Sequence, residues 1–272
     1  MIAWPFDPSV DAGLAALSLG YAWLARRVGA PRRNAIYFCI GLLVVWLALE
    51  TPLDTLADHY LMSAHMAQHM LLMAIAPPFL LLGLSRSMAA VLLRVPLLRP
   101  LTEPVPALAA YAAVMIGWHL PPLYSLALRD PVVHVLEHVA FLAAGTLFWW
   151  PVIRATRVHS RWSLDEPGVA VYLLTGMLPM MAVSLPLQFS RHLFYPFYGG
   201  APRLIPSITP VIDQNIAGVV MMLMEMAATG VDAVIVSYRW LGEAVRSDLE
   251  QQQSNAGSSR QASVDDGVTA PR

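Results

Sequence analysis

Apolar residues recur in stretches at 12–25, 35–50, 62–84, 105–121, 131–153, 168–187 and 213–237, with polar or proline-rich breaks between them. None of these stretches alternates apolar and polar residues, so a membrane β-barrel is a weak reading. Helices are the remaining way for a backbone to satisfy its polar groups in lipid. A spanning helix needs about 20 residues, which makes the first two stretches short. The pattern predicts an all-α integral membrane protein: a seven-transmembrane-helix bundle over residues 1–246, then a disordered tail over 247–272. That tail is rich in Gln, Ser, Asn, Asp and Gly and has no apolar period. The first stretch does not read as a signal peptide, because Asp7 and Asp11 open it and Arg26 and Arg27 follow it.

Composition narrows the classes further. Apolar types make up 57% of the 272 residues and charged types 13%. A soluble domain carries about 25% charge. An ordinary soluble enzyme and a disordered chain are excluded, and a net charge of -1 argues against nucleic acid as a partner. The lipid bilayer is the expected surrounding. The single cysteine, Cys39, excludes an internal disulfide and a four-cysteine metal site.

Charge orients the bundle. All 17 basic residues are arginine. Arg26, Arg27, Arg32 and Arg33 fill the first loop, Arg86, Arg94 and Arg99 the third, and Arg154, Arg157 and Arg161 the fifth. Arg239 and Arg246 follow the last stretch, whereas the alternate loops hold only Arg129, Arg191 and Arg203. The positive-inside rule then predicts the N-terminus outside and the C-terminus, with its tail, in the cytoplasm.

Seven of the eight histidines fall at or near the outer face of this topology, although the charge count never used them. His59 precedes the third span, and His65 and His69 lie in its first turns. His119 closes the fourth span, His134 and His138 open the fifth, and His192 lies in the sixth loop. His159 alone is assigned inside. His65 with His69, and His134 with His138, are each four residues apart, so each pair shares a helix face. Asp213 opens the last span on the same side. Neutral imidazole suits Cu, Zn, Fe and Ni, and ligating histidines need orienting partners, which Glu137, Gln68 or Asp213 can supply. A purely structural hydrogen-bond network is the competing reading. His59 and His192 read as accessory or structural. No HExxH pattern is present.

Fourteen methionines are many. Thioethers favour Cu(I), and Met62, Met66 and Met70 share the depth of the histidine pair. Met62, Met66, His69 and Met73 form one helical stripe. Adaptable core packing is the alternative for most methionines. Glu225 lies about 18 Å down an ideal helix from Asp213, which puts a carboxylate near the membrane middle, as a structural pair or an ion or proton relay. Pro77-Pro78 is expected to kink the third span, and Pro121-Pro122 to turn the chain after His119. Trp149 and Trp150 read as interfacial anchors. Gly41, Gly117, Gly145, Gly176 and Gly218 are candidates for close helix contact.

Three segments carry a family resemblance: HMAQHMLLMAIAPPFLLLG (65–83), WHLPPLYSLALRDPVVHVLEHVAFLAAGTLFWWPV (118–152) and DQNIAGVVM (213–221). In order and separation they resemble the CtaG (caa3-type) family of cytochrome c oxidase assembly factors, over roughly 50–236. The resemblance implies a multi-pass protein of the bacterial inner membrane, needed to assemble a haem-copper oxidase of the respiratory chain. No nucleophile–base or two-carboxylate arrangement stands out, so an enzyme is not expected. The resemblance selects His65, His69, His119, His134, His138 and Asp213, with Gln68 and Glu137 in family-like positions. The implied role is a copper-binding metallochaperone with a periplasm-facing site. It would handle Cu(I) and have an oxidase subunit and a periplasmic copper donor as partners. A haem-binding redox protein, a copper or proton transporter using Glu225, and a metal-free scaffold are the alternatives. The last span departs from the family after the DQ motif, reading MMLMEMAATG (221–230), so Glu225 gains no support from the resemblance.

Overall fold

The computed structural model describes residues 4–158 and 160–230, with a few helical positions between 234 and 252. His159, and all but one residue of the tail predicted over 247–272, lie outside the described residues.

The chain starts several helices in the same way. A polar residue caps the backbone and a proline occupies the first turn, where no intrahelical N–H is required. Asp7 caps α1 (Pro8–Val28) by accepting from the Ser9 N–H. Thr51 caps α3 (Pro52–His59) through the Leu53 N–H. Asp130 caps α7 (Pro131–Trp149) through Val132 and Val133, and Asp165 caps α8 (Glu166–Phe189) through Gly168. Gly29, in the left-handed region at φ 66°, closes α1. Between these lie α2 (Arg32–Leu49), α4 (Met62–Leu82), α5 (Pro104–Trp118) and α6 (Pro121–Ala127). The short α9 (Pro196–Gly200) and α10 (Pro210–Gly230) follow.

Five of these helices, α2, α4, α7, α8 and α10, are long and apolar enough to cross a membrane. The stretch predicted at 12–25 forms α1, which has 21 residues but lacks that apolarity. The stretch at 105–121 forms α5, which stops after 15 residues because His119 and Pro121-Pro122 end it. The described residues therefore form an all-helical membrane protein with five candidate spans.

The proline pair in α4 acts upstream of itself. Leu71–Ile75 forms a π-helix, a widened turn just before Pro77 and Pro78. Proline crowds the carbonyl four residues back and offers no N–H to it, and the wider turn accommodates that loss. Gly145 of α7 packs on this turn: a Cβ there would collide with the Met73 backbone. Gly41 meets Leu80, Gly176 meets Phe148, and Gly218 meets Ser184 and Gln188, whereas Gly117 faces open space. Close approach thus uses four of the five glycines, and α7 is seated tightly against α4.

Beyond this contact the core is aromatic. Tyr111, Phe148 and Tyr172 stack with centroids 4.4 and 5.1 Å apart. Trp149 and Trp150 are buried at 1% and 6% exposure rather than spread along an interface. They follow Phe148 into the core, because the glycine contacts pull the end of α7 inward.

At one end of the bundle Asp7 N–H donates to Glu50 and Asp213 caps α4, so the starts of α1, α4 and α10 and the end of α2 lie together. His119 and the start of α7 join them there. This is the histidine end.

Candidate metal centre

Helix α4 brings His65 and His69 onto one face, one turn apart, with ring centroids 4.3 Å from each other. Helix α7 does the same for His134 and His138, at 4.2 Å. The Gly145 contact holds the two helices close enough for the pairs to meet: His65 lies 5.5 Å from His134, and His69 lies 5.9 Å from His138. His119, in the turn after α5, lies 5.9 Å from His69. The structure therefore brings together all five histidines singled out in the sequence.

Glu137 stands among them rather than behind them. Its two oxygens lie 3.9 Å from His65 Nε2 and 3.8 Å from His69 Nε2. These separations are too long for hydrogen bonds. His65 Nε2, both nitrogens of His69, His134 Nε2, His138 Nε2 and both Glu137 oxygens are buried without a hydrogen-bond partner. Buried polar atoms are nearly always satisfied, so this concentration of lone pairs is exceptional. Two groupings bring one donor atom per residue within 4.8 Å of one another: His65 with His69 and His138, and His65 with His134 and Glu137. Imidazole nitrogen and carboxylate oxygen at such spacing fit one transition-metal ion.

Sequence reasoning missed the tyrosines that set the direction of these lone pairs. Tyr198 OH donates to the Ala57 carbonyl at 2.9 Å, so its oxygen accepts from His65 Nδ1–H at 2.8 Å. Tyr124 OH is 3.1 Å from the same nitrogen and 3.3 Å from Tyr198 OH. The proton of neutral His65 therefore sits on Nδ1, and Nε2 carries the lone pair facing Glu137. Tyr195 OH holds the His119 carbonyl at 2.7 Å. Tyr195 and Tyr198 both come from the segment between α8 and α10, Tyr198 from α9, and this segment covers one flank of the cluster. In the sequence Tyr124 lies within the family-like segment 118–152 but is not singled out there; Tyr195 and Tyr198 carry no signal.

Other residues singled out in the sequence do different work. Asp213 does not orient a histidine. It accepts from the Met62 N–H at 2.7 Å and from the Ser63 N–H and hydroxyl, capping α4. The cap fixes the start of the helix that carries His65 and His69. Gln68 turns away from the histidines, donating to the Ala48 carbonyl and to Asp54. Met66 places its sulfur 3.2 Å from His119 Nε2, whereas Met62 and Met70 are fully buried in the apolar core. His59 and His192 are exposed. Glu225 is buried far along α10 and accepts from Tyr111 OH at 3.2 Å.

Asp54 and Asp58 of α3 were not singled out either. Asp58 Oδ1 lies 3.6 Å from His134 Nε2. Burial pushes both carboxyls up to about 6, and the neighbouring Asp58 charge adds to the rise at Asp54. With His134 and His138 they border a cavity of about 1110 Å³, which runs along α7 to Leu98 and Trp150. Of the cluster, His134 and His138 line it.

Residues 18–243 match the cytochrome c oxidase caa3 assembly factor family, Caa3_CtaG. The chain is also 27% identical over 208 residues to the uncharacterized proteins Mb0105 of Mycobacterium bovis and MT0111 of Mycobacterium tuberculosis. Those alignments take in 67% of this chain and 31% of either relative, so the chain spans less than a third of the curated relatives it matches. No solved structure matches. With the match running from α1 past α10 and enclosing every residue of the histidine cluster, the chain belongs to the cytochrome c oxidase caa3 assembly factor family.

Proposed function

We propose that this assembly factor binds copper at its histidine end and delivers it, or supports its insertion, during maturation of a haem-copper oxidase. The observation that carries the reading is the convergence of buried, unpartnered imidazole nitrogens and Glu137 oxygens. The donors approach one another closely enough to hold a single ion, which favours an ion over a macrocycle such as haem. Copper is here cargo. His65, His69, His134, His138 and Glu137 hold it, and the tyrosine network keeps His65 Nε2 unprotonated and aimed inward. Release proceeds by ligand exchange, because more donors converge than one ion needs. Asp213 contributes by fixing α4.

The same reading places seven spans in the bacterial inner membrane, with α1 and α5 completing the set. The N-terminus and the histidine end face the periplasm and the C-terminus the cytoplasm. A periplasmic donor then loads the site, and an oxidase subunit receives the ion. The test is anaerobic Cu(I) binding to the detergent-purified chain against a chromophoric chelator. Wild type should bind stoichiometrically, and His65→Ala/His69→Ala and His134→Ala/His138→Ala should each lose that binding while remaining folded. Folded wild type that binds no copper would refute the reading.

A further inference from the structure

His119 and Met66 make a contact that ordinary hydrogen bonding does not explain. His119 Nδ1 lies 2.7 Å from the Met115 carbonyl, which can only accept. The proton of the neutral ring is therefore on Nδ1, and Nε2 carries a lone pair. That lone pair faces Met66 Sδ, another electron-pair donor, at 3.2 Å. Both side chains are buried, at 5% and 0% exposure. Two donors aimed at each other across such a gap suit a shared cation. Metal bonds of about 2.0 Å to nitrogen and about 2.3 Å to sulfur bring two donors of one ion to this kind of separation.

The pair is chemically unlike the grouping of His65, His134 and Glu137. It holds thioether and imidazole with no carboxylate, a soft set that prefers a monovalent coinage-metal ion. His69 links the two. It is three residues after Met66 and four after His65, so it neighbours both on α4. His65 and His119 each have Nδ1 held by a protein partner, whereas both nitrogens of His69 are buried and unpartnered. One of them, Nε2, faces Glu137 at 3.8 Å.

We propose that Met66 Sδ and His119 Nε2 form a second, soft metal position, selective for Cu(I) over divalent ions, with His69 as the ligand exchanged between it and the Glu137 grouping. The proposal rests on the copper reading above and adds a direction to it. An ion passes between a carboxylate-bearing position and a carboxylate-free one with no change of oxidation state.

The test uses the full chain in detergent with Ag(I) as a redox-inert monovalent probe and Zn(II) as a divalent one. X-ray absorption of the Ag(I)-loaded wild type should show a sulfur neighbour. Met66→Leu should lose that neighbour and weaken Ag(I) binding by at least roughly tenfold, with Zn(II) binding unchanged. Glu137→Gln should do the reverse, weakening Zn(II) and keeping the Ag(I)–sulfur signal. If Met66→Leu does not fold, selenomethionine-labelled protein reports the same ligand from the selenium edge. Ag(I) bound without sulfur or selenium would overturn the soft position and leave the Glu137 grouping intact. Loss of both ions together in folded Met66→Leu would overturn the separation of the two positions. Folded wild type that takes up neither ion would overturn this proposal and the copper reading alike.

Discussion

Glu103 and Glu137, at opposite ends of the bundle, are treated in opposite ways. At the arginine-rich end, Glu103 accepts from the Ser160 hydroxyl and from the Arg161 and Trp162 N–H groups. Burial pushes its carboxyl up, but these three hydrogen bonds outweigh that and hold it below the usual range. Arg157 donates to the Leu164 and Val152 carbonyls, and Thr156 to those of Trp150 and Ile153. At the histidine end Glu137 is fully buried, where Glu103 is only partly covered, yet neither Glu137 oxygen has a hydrogen-bond partner. A carboxylate that serves the fold is satisfied by the chain around it. Glu137 stands instead among unpartnered imidazole nitrogens, the arrangement on which the copper proposal rests.

Exchanging the carboxylates for apolar groups should separate these two cases most sharply. Glu137→Leu should lower divalent-metal affinity by roughly 100-fold, the upper end of the range for losing a metal-site partner. In chelator it should leave the thermal midpoint unchanged or raised, because an unsatisfied buried polar group costs about 1–3 kcal/mol. Glu103→Leu should do the opposite, lowering the midpoint and leaving metal binding alone. A Glu137→Leu variant that melts lower without metal would break the comparison.

The next effect tests the seat of α7 on α4. Gly145→Val forces a side chain into the Met73 backbone and should cost about 1–3 kcal/mol, typical of overpacking. It should also weaken metal binding, since the two histidine pairs would separate. A chemical-denaturation series with parallel metal titration checks both. Asp213→Ala is the smaller perturbation. Loss of its cap on α4 should cost about 0.5–2 kcal/mol with metal stoichiometry unchanged. Lost stoichiometry in the folded variant would instead make Asp213 a ligand.

The smallest expected effect is one of pH. Asp54 and Asp58 titrate at about 6 in the folded protein, above the ordinary value of 3.8. A carboxyl raised on folding favours the folded state fully below its unfolded value, and that contribution fades as pH rises through the folded value. Metal-free protein should therefore gain thermal stability from these groups between pH 7 and 5. Asp54→Asn/Asp58→Asn should flatten that part of the profile. An unchanged profile would show that burial does not act on them in this way.

Much of the site was legible because helical spacing is local. His65 with His69, and His134 with His138, share faces by the geometry of one turn, and apolar length marked their helices. The partners were not legible. Tyr198 reaches His65 across 133 positions, and Asp213 caps Met62 across 151. Glu137 read as a supporting residue, but on α7 it falls between its histidines and those of α4, a place that depends on how the two helices face. Trp149 and Trp150 misled for the same reason, since their types suit an interface and the packing of α7 buries them.

The helical membrane class, the family motifs and the gathering of histidines at one end could be read before any fold was known. Those follow from hydropathy, charge and residue spacing, which act over a few turns. Tertiary structure alone decided which atoms meet. It set the approach of α7 to the π-turn of α4, the tyrosine cover over His65, the use of Asp213 as a cap, and the meeting of His119 with Met66. Each depends on two distant segments being held at one distance and rotation. Local patterns do not encode that; the packing of glycine against backbone does.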